Sequence, residues 1–258
     1  MYFKTIDFSK FSSIKVGSKV EVLMLERTDE IPKDRMIIGH ANNLLVSANP
    51  KPLMMLSKDF SFIELEDDLL TIGCGTPTGK ILSFAKKNDL AGFEFVSKLP
   101  GSLGGMIAMN AGVKAYEVFN ILEAVKIDEE WVAKENIKHG YRFAKLGGVA
   151  TEVRFRVSKG FSKALLDELV NLRSNQPKTP SAGSAFKNPE GDYAGRLIEA
   201  VGLKGVSKGA MQWSEIHANF LVNHGGGVFE DAKYLIELAK DKVYEEFGIK
   251  LKEEVKVL

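Results

Sequence analysis

A glycine-rich segment near the middle of the chain constrains the fold more than any other feature of the sequence. Residues 99–112 read LPGSLGGMIAMNAG, so small side chains dominate a stretch that Pro100 stiffens at its start. Glycine lacks a Cβ, which lets the backbone approach a ligand closely and adopt positive φ. Clustered main-chain N–H groups form concavities that bind anions, and phosphate is their usual guest. The segment therefore indicates a chain that holds a large phosphate-bearing cofactor.

The spacing of these glycines matches neither of the common nucleotide-binding motifs. Gly101, Gly104 and Gly105 form neither a Gly-x-Gly-x-x-Gly fingerprint nor a P-loop, and no regular strand-turn-helix unit is expected around them. By itself such a turn is weak evidence for a cofactor, and tight backbone packing is its default explanation. The same holds for Asn42 and Asn43, because asparagine tolerates the left-handed region in turns and caps backbone groups.

Composition places the chain among ordinary globular proteins and narrows its partners. It has 258 residues, 45% of them hydrophobic and 27% charged, with a formal net charge of +1. Because so small a charge attracts neither nucleic acid nor an anionic membrane, neither is expected as a partner. The four histidines lack metal-binding spacing, so no metal is expected. A lone cysteine, Cys74, and the lack of a signal peptide or a long apolar run predict a cytoplasmic protein.

Hydrophobic patterns predict an α+β fold. Runs rich in Val, Ile, Leu and Phe predict strands at residues 19–25, 36–38, 44–46, 62–65, 70–73, 117–125, 131–137, 148–157, 249–251 and 255–258. A helix is expected to start with Thr76 as its cap and Pro77 as its first residue, and to end at Asn88. Further helices are predicted at residues 162–174 and 230–247, the second stopped by Gly248. The breaker-rich residues 176–180 are the expected lobe boundary.

Several short motifs follow one another in a fixed order along the chain. Residues 39–45 read GHANNLL and resemble Gly-x-Gly-Ser-Asn-Leu-Leu, and residues 99–112 resemble Ile-Pro-Gly-x-x-Gly-Gly-Ala-x-x-Met-Asn-Ala-Gly. A Tyr-Arg pair at residues 141–142 follows, and further matches are AGSAFKNP at 182–189, residues 194–205, HANF at 217–220 with Asn223, and LKEEV at 251–255. From about Lys15 to the end, the chain thus resembles the UDP-N-acetylenolpyruvoylglucosamine reductase family, flavoenzymes of cell-wall precursor synthesis.

The resemblance implies an α+β fold with a two-lobed FAD-binding region of the vanillyl-alcohol-oxidase-like, or PCMH, type. A smaller C-terminal α+β lobe would bind substrate. We expect the first FAD lobe at residues 1–56, rejoined by residues 250–258, the second at residues 57–160, and the substrate lobe at residues 161–249. Because the chain is short and shows no obvious insertion, it resembles the compact subtype of the family.

The resemblance also implies a reaction in which NADPH reduces FAD and the reduced flavin passes a hydride to an enolpyruvyl ether on UDP-N-acetylglucosamine. Ser184 is the expected proton donor to the resulting carbanion. Arg142 offers a permanently charged planar fork to the substrate carboxylate. Glu254 would act as a hydrogen-bond donor when protonated or through a bound water. Strand alternation allows at most one of Glu253 and Glu254 to face the site, and the other is expected in solvent.

The family's binding residues are carried over by position. Those expected to bind the cofactor are Gly39, His40, Ala41, Asn42, Asn43, Leu44, Pro100, Gly101, Ser102, Gly104, Gly105, Ala108, Asn110, Ala111 and Val149. Those expected to bind the UDP-sugar are Tyr141, Lys187, Asn188, His217 and Asn219. Departures from the family pattern put individual flavin contacts in question; they are His40, Ala41 and Asn42 in the first loop, Lys98 before the glycine segment, and Ala144 after the Tyr-Arg pair.

Plainer alternatives stay open for these residues and for the function. Ser184 could simply turn the backbone, Arg142 could form a surface ion pair, and His217 could be a core histidine. A flavin oxidase of the same broader fold is one rival function, and a flavin- or nucleotide-sugar-binding regulator without turnover is another. The segment around Ser184 and the terminal Glu254 disfavour the oxidase, and the joint presence of Arg142, Ser184 and Glu254 disfavours the regulator.

Overall fold

The structure is a computed structural model that describes the whole chain, residues 1–258. Its helices are α1 (Phe8–Phe11), α2 (Thr78–Lys87), α3 (Leu103–Ala108), α4 (Val118–Ile121), α5 (Lys163–Asn171), α6 (Ala194–Ala200) and α7 (Phe229–Phe247). Its strands are β1 (Tyr2–Asp7), β2 (Lys19–Leu25), β3 (Met36–Ile37), β4 (Leu44–Leu45), β5 (Leu53–Leu56), β6 (Ile63–Glu66), β7 (Leu69–Gly73), β8 (Gly112–Val113), β9 (Tyr116–Glu117), β10 (Leu122–Ile127), β11 (Glu130–Ala133), β12 (His139–Gly140), β13 (Phe143–Ala144), β14 (Ala150–Arg156), β15 (Ser181–Ser184), β16 (Ser207–Lys208), β17 (Met211–Trp213), β18 (Phe220–Asn223) and β19 (Lys256–Val257). Short 3-10 turns lie at Lys58–Phe60, Glu94–Val96 and Lys134–Asn136. The predicted α+β class is confirmed.

The chain divides into two compact units by the contacts its residues make. The first unit comprises Met1–Lys4, Val22–His40 and Pro52–Ser174. The second comprises Thr5–Glu21, Ala41–Lys51 and Asn175–Leu258. The last segment of the second unit thus starts directly before residues 176–180, the predicted boundary. The three-part division by binding role stays a prediction, because these two units group residues by packing and not by ligand.

A five-stranded antiparallel sheet forms the centre of the first unit. Its strand order is β11-β10-β14-β7-β6. Val125 lies opposite Val153, which in turn lies opposite Ile72, and all three side chains are fully buried. Burying each such side chain contributes roughly 1.5–3 kcal/mol. The core beneath this sheet therefore fixes β7, whose end leads into the loop that supports the glycine-rich segment.

Another sheet has the order β1-β2-β5-β3, and the first unit contains its strands β3 and β5 with residues 22–25 of β2. Strands β2 and β5 run parallel from the pair Val22 and Leu53 to the pair Leu25 and Leu56, and β3 pairs with the other edge of β5. Gly39 follows β3 after a single residue, the buried Ile38, whose N–H donates to the Met54 carbonyl at 2.9 Å. The sheet therefore holds the entrance to the first glycine-bearing loop.

The predicted start of α2 is wrong. Pro77 is the N-cap, with a ψ of 139°, and the helix begins at Thr78. Thr76 does not cap the helix, because its hydroxyl donates to the Phe62 carbonyl at 3.0 Å. The predicted end at Asn88 is confirmed, since Asn88 is the C-cap.

The predicted strand at residues 117–125 is also wrong, because α4 interrupts it. The Phe119 N–H donates to Asn110 Oδ1 at 3.2 Å, and the Val118 N–H donates to the Ala111 carbonyl at 3.0 Å. These two bonds take the backbone out of an extended course, and regular pairing resumes only at β10. Likewise, the predicted strand at residues 131–137 stops at Ala133, where a 3-10 turn follows.

The second unit is built from a four-stranded antiparallel sheet and α7. The sheet has the order β15-β18-β17-β16. Helix α7 buries one face at helical spacing, formed by Ala232, Leu235, Ile236, Ala239 and Val243. It ends at Gly248, which adopts the left-handed conformation with φ 67° and whose N–H donates to the Tyr244 carbonyl at 2.8 Å. The predicted helix and its stop are confirmed.

The carboxyl end of the chain returns to an earlier strand of the second unit. Strand β19 runs parallel to β4, with Lys256 opposite Leu44 and Val257 opposite Leu45. No strand forms at residues 249–251, where the prediction is wrong; Leu251 instead joins the buried core. None of the helices combines the length and apolar character needed to cross a membrane.

Candidate active site

Two glycine-bearing segments of the first unit lie side by side, and together they form what we call the glycine cradle, Gly39 with residues 101–105. A Cβ built on Gly39 would lie 2.9 Å from Ser102 Oγ and 3.7 Å from the Gly105 backbone. Gly101 has a φ of +125°, which side-chain-bearing residues rarely adopt. The cradle thus brings two stretches of backbone together without intervening side chains, and such backbone suits a phosphate-bearing cofactor such as FAD.

Loop contacts anchor the cradle to the end of β7. The Leu103 N–H donates to the Thr76 carbonyl at 3.0 Å, and the Gly104 N–H donates to the Cys74 carbonyl at 2.8 Å. A Cβ on Gly104 would lie 3.3 Å from the Cys74 carbonyl oxygen and Cβ. Burial raises the pKa of the Cys74 thiol, which stays neutral beneath the cradle. Close packing and cofactor binding are therefore compatible explanations of these glycines.

His40 is one of the residues that give the first loop more side-chain bulk than the family pattern has. Burial lowers the pKa of its imidazole, and a hydrogen bond with the Gly101 backbone partly opposes this effect. At neutral pH the ring is therefore uncharged beside the cradle. The remaining residues of the predicted cofactor set in this unit vary in exposure: Pro100 and Ala108 are exposed, Ala111 is half-buried, and Ser102 and Val149 are buried.

Val149 and Asn110 already use their polar groups within the protein. The Val149 N–H donates to Asp128 Oδ1 at 2.8 Å, and its carbonyl accepts the Asp128 N–H at 3.1 Å. Asn110 Nδ2 donates to Glu117 Oε2 at 2.7 Å and to the Gly140 carbonyl at 3.2 Å. A cofactor contact therefore remains a prediction for both residues. At Val149 the predicted contact is made by the side chain, and near Asn110 it is made by the small neighbouring residues.

Arg142 lies on the two-residue turn between β12 and β13. Its φ is +58°, an uncommon conformation for a residue with a long side chain. Its Nη2 donates to the Gly112 carbonyl at 3.2 Å, and its guanidinium carbon lies 5.1 Å from the centre of the exposed Tyr141 ring. Glu117, which the sequence did not single out, lies 3.9 Å from Arg142 Nη1.

Ser184 and Glu254 meet in the second unit through the backbone of Ala185. The Ala185 carbonyl accepts the Glu254 N–H at 2.8 Å and the Val255 N–H at 3.2 Å. The register of β15 against β18 shifts between Ser181 and Ser184, and Gly183 within this shift has a φ of +80°. Irregular pairing of this kind turns a side chain away from its regular strand direction. The predicted donor and the predicted carboxyl thus lie on adjoining backbone segments.

The loop at residues 41–44 contacts the terminal segment that carries Glu254. Asn43 Nδ2 donates to the Glu254 carbonyl at 2.9 Å, and the Lys256 N–H donates to the Asn43 carbonyl at 2.9 Å. Ser13 binds the loop from the other side, with its N–H on the Ala41 carbonyl and its hydroxyl on the Asn42 carbonyl at 3.1 Å. Ala41 has a φ of +51°, and Leu44 leads into β4. The two asparagines therefore sit beside the terminal segment that carries Glu254.

Glu253, the neighbour of Glu254, is not left in solvent. Its Oε1 lies 2.9 Å from Lys240 Nζ on α7, and only 29% of its side chain is exposed. The expectation of a solvated Glu253 is therefore wrong, because α7 supplies a partner that alternation along the strand does not reveal.

The predicted substrate residues of the second unit fall into two pairs, Lys187 with Asn188 and His217 with Asn219, each bonded to nearby backbone. Asn188 is exposed, and its Oδ1 accepts the Ala194 N–H at 3.1 Å at the start of α6. The Lys187 N–H donates to the Lys252 carbonyl at 2.8 Å. His217 Nδ1 accepts the Asn219 N–H at 3.3 Å, so the neutral ring carries its proton on Nε2. Burial lowers the pKa of His217, and the charge of Lys204 acts in the same direction.

The Asn219 amide is taken up entirely by one neighbouring residue. Its Oδ1 accepts the Phe186 N–H at 3.0 Å, and its Nδ2 donates to the Phe186 carbonyl at 2.8 Å. The Asn219 carbonyl also accepts the Ala185 N–H at 2.8 Å. Asn219 is 3% exposed. Its geometry is that of a clamp on the segment after Ser184.

Known proteins resemble this chain over its whole length. Residues 176–258 match the family model for the C-terminal domain of UDP-N-acetylenolpyruvoylglucosamine reductase. The chain is 45% identical over 254 residues to the reductase of that name from Helicobacter pylori (strain ATCC 700392 / 26695), covering 98% of each chain. It is 46% identical over 258 residues to that of Campylobacter jejuni (strain RM1221), covering 98% of this chain and 99% of the relative.

The fold has the same relationship to a solved structure. The crystal structure of UDP-N-acetylenolpyruvylglucosamine reductase from Thermus caldophilus superposes with a TM-score of 0.86 at 31% identity, covering 100% of this chain and 99% of the other. Fold, cradle and matches together define an FAD-dependent oxidoreductase that uses NADPH in peptidoglycan precursor synthesis. More closely, the chain belongs to the UDP-N-acetylenolpyruvoylglucosamine reductase family. The family and cofactor expectations from the sequence are confirmed.

Proposed function

We propose that this chain reduces the enolpyruvyl ether of UDP-N-acetylglucosamine enolpyruvate to the lactyl ether of UDP-N-acetylmuramate. When bound, FAD supplies the redox chemistry, taking a hydride from NADPH and delivering it to the enolpyruvyl double bond. The chain's own task is to bind the UDP-sugar, stabilise the charge that develops on the carboxylate and deliver one proton to the α-carbon.

Ser184 delivers the proton in this proposal. A hydroxyl is a weak acid in water, but it can protonate a strongly basic carbanion held within hydrogen-bond reach. The observation that carries the proposal is that Ala185, the residue after Ser184, accepts the Glu254 N–H on its carbonyl, so Ser184 and Glu254 lie on adjoining backbone segments. A plain turn would require neither the register shift at Gly183 nor this link to the terminal segment.

Arg142 and Glu254 stabilise the developing charge. The Arg142 guanidinium is always protonated and presents paired N–H donors that suit a carboxylate gaining electron density. The Glu254 carboxyl, in its protonated form or through a bound water, donates a hydrogen bond to the same group. Such donors lower the barrier only as far as they interact more strongly with the transition state than with the substrate.

The remaining predicted residues bind the nucleotide-sugar. Asn188 offers its amide Nδ2, because its Oδ1 already accepts the Ala194 N–H, and His217 offers the N–H of Nε2. Lys187 and Tyr141 supply a positive charge and a phenol to the phosphates or sugar. Asn219 acts by holding Phe186 rather than by touching substrate. Because a UDP-sugar and NADPH are metabolites of the cytoplasm, we extend the proposal to that compartment; no protein partner, nucleic acid or membrane enters it.

An anaerobic experiment in two steps tests the function. The purified protein is reduced with NADPH, which bleaches the flavin absorbance, and UDP-N-acetylglucosamine enolpyruvate is then added. The proposal expects the yellow colour to return, and UDP-N-acetylglucosamine without the enolpyruvyl group to leave the protein bleached. A return of colour only on admission of oxygen would favour an oxidase, and no return under either condition would favour a binding protein without turnover.

A further inference from the structure

Arg142 occupies a backbone position that its own preferences do not explain. It is the second residue of the two-residue turn between β12 and β13, with a φ of +58°. Glycine or asparagine is usual in this region, because a Cβ crowds the neighbouring carbonyl. Such a conformation persists only where the surroundings determine it, and it often marks a functional site. The question is which residues of the first unit hold the Arg142 side chain.

One hairpin supplies a hydrogen-bond acceptor and a negative charge to the guanidinium. Strands β8 and β9 pair through Gly112 and Glu117. The Gly112 carbonyl accepts Arg142 Nη2 at 3.2 Å, and Glu117 Oε1 lies 3.9 Å from Arg142 Nη1. The two side chains are 21% and 23% exposed, so water screens this charge pair only partly.

A bare glycine makes this arrangement possible. A Cβ on Gly112 would collide with the Tyr116 carbonyl and lie 2.8 Å from Glu117 Cα and Cγ. The absence of a side chain at Gly112 therefore lets the two strands of the hairpin approach each other. As a result, Glu117 and the Gly112 carbonyl both lie next to the Arg142 guanidinium. Gly112 is the last glycine of the segment at residues 99–112, so the role of that segment extends beyond the cradle.

Asn110 links this hairpin to the turn that carries Arg142. Its Nδ2 donates both to Glu117 Oε2 at 2.7 Å and to the Gly140 carbonyl at 3.2 Å, the last residue before the turn. Its Oδ1 accepts the Phe119 N–H at 3.2 Å, so each part of the amide is used. Asn110 is 1% exposed, and a buried amide bonded on all sides is rigid. The Glu117 carboxylate is thus held on one oxygen while the other faces Arg142.

We infer that Glu117 is a positioning residue, which fixes the orientation of the Arg142 guanidinium toward the substrate carboxylate. The inference rests on the proposed function, since it acts through the role assigned to Arg142. A carboxylate held by Asn110 sets the direction of the guanidinium by charge, and the Gly112 carbonyl sets it by a hydrogen bond. Loss of the Glu117 charge leaves the Arg142 guanidinium present but misaligned with the substrate carboxylate. A displacement of about 1 Å can lower a rate by as much as 10²-fold.

A double-mutant cycle with Glu117→Gln and Arg142→Ala tests this. Glutamine keeps the size of the side chain and an oxygen for Asn110, so folding and flavin content should be unchanged. We expect reoxidation of reduced flavin by saturating enolpyruvyl substrate to slow by about 10- to 100-fold in Glu117→Gln, with reduction by NADPH unaffected. In the Arg142→Ala background, Glu117→Gln should cause no further slowing, because it acts only through the guanidinium.

Glu123→Gln is the matched control, since Glu123 pairs with Arg156 at 3.3 Å on an exposed face of the same unit; wild-type rates are expected there. If Arg142→Ala slows reoxidation but Glu117→Gln does not, or if Glu117→Gln slows both backgrounds by the same factor, the positioning inference is overturned while the proposed function stands. If Arg142→Ala itself reoxidises at the wild-type rate, the role of Arg142 and the inference both fall. Should Glu117→Gln not fold, Glu117→Asp, which draws the charge back by one carbon, is judged by the same criteria.

Discussion

Asparagine amides show most clearly how a side chain in a binding motif can serve the backbone instead. The Asn219 amide accepts the Phe186 N–H and donates to the Phe186 carbonyl, and Phe186 lies 33 residues earlier in the chain. Asn110 binds two other segments, with bonds to the Glu117 carboxylate and the Phe119 N–H in one and to the Gly140 carbonyl in the other. The motif predicts that these residues belong to the site region, but local sequence cannot reveal which distant backbone group will meet an amide.

Replacing Asn219 by alanine should destabilise the protein substantially. The change leaves the N–H and carbonyl of buried Phe186 without partners, and each unsatisfied buried group costs about 1–3 kcal/mol. We expect a loss of about 2–4 kcal/mol in the free energy of unfolding, measured by urea denaturation. Asn188→Ala is the control, because exposed Asn188 makes a single bond to Ala194 and should lose about 1 kcal/mol or less. Equal losses in the two variants would contradict the clamp.

Helix α7 and the interrupted strand after Gly112 show what can be predicted at the scale of elements. Five apolar residues at helical spacing and a glycine stop suffice for α7, because both signals are local. The segment at residues 117–125 has the apolar residues of a strand, yet Asn110 captures the Phe119 N–H and forces the turn of α4. In the same way, Thr76 is withdrawn from capping α2 by the Phe62 carbonyl. These elements depend on partners that are distant in sequence.

A pair of glycine-to-alanine changes separates conformational cost from packing. A Cβ on Gly248 would meet nothing within 4 Å, but Gly248 has φ 67° at the end of α7. We expect Gly248→Ala to lower the free energy of unfolding by about 1–2 kcal/mol, the cost of a left-handed alanine. A Cβ on Gly79 in α2 also meets nothing, and its φ is ordinary, so Gly79→Ala should raise stability by up to about 1 kcal/mol. Thermal unfolding of both variants measures this, and the same sign of change in each would contradict it.

Across the whole molecule, the two half-buried histidines link stability to pH. His40 in the first unit and His217 in the second both have pKa values lowered by burial. An unfolded chain protonates its imidazoles near pH 6.5, before the folded protein does, so the unfolded state binds more protons below that pH. The stability present above pH 6.5 is therefore lost as the pH falls toward the lowered values.

We expect the free energy of unfolding to decrease between about pH 7 and pH 5, and the decrease to be smaller in His217→Gln. Arg196 and the Tyr193 N–H hold the pKa of Asp192 at about 2, so this carboxyl stays ionised throughout the interval. Urea denaturation at a series of pH values, at fixed flavin content, gives the slope directly. If the slope in His217→Gln equals the wild-type slope, folding does not lower the pKa of His217.

The function of the whole molecule could be predicted from the sequence only when all of its motifs were taken together. No single glycine turn distinguished a cofactor site from close packing, and the structure shows that the glycines of the cradle do pack closely. Seven motifs in a fixed order nevertheless identified the family that the whole-length matches confirm. Glu117 escaped because a single acidic residue in a short strand carries no signal until its partners are seen.

The most direct measurement on the central claim follows the two half-reactions of Ser184→Ala separately by anaerobic stopped-flow absorbance. If Ser184 donates the proton, reduction of the flavin by NADPH proceeds at the wild-type rate. Reoxidation by UDP-N-acetylglucosamine enolpyruvate then slows by ~10²–10⁴-fold, the usual contribution of a general acid. Reoxidation at the wild-type rate, or equal slowing of both half-reactions, would contradict the account.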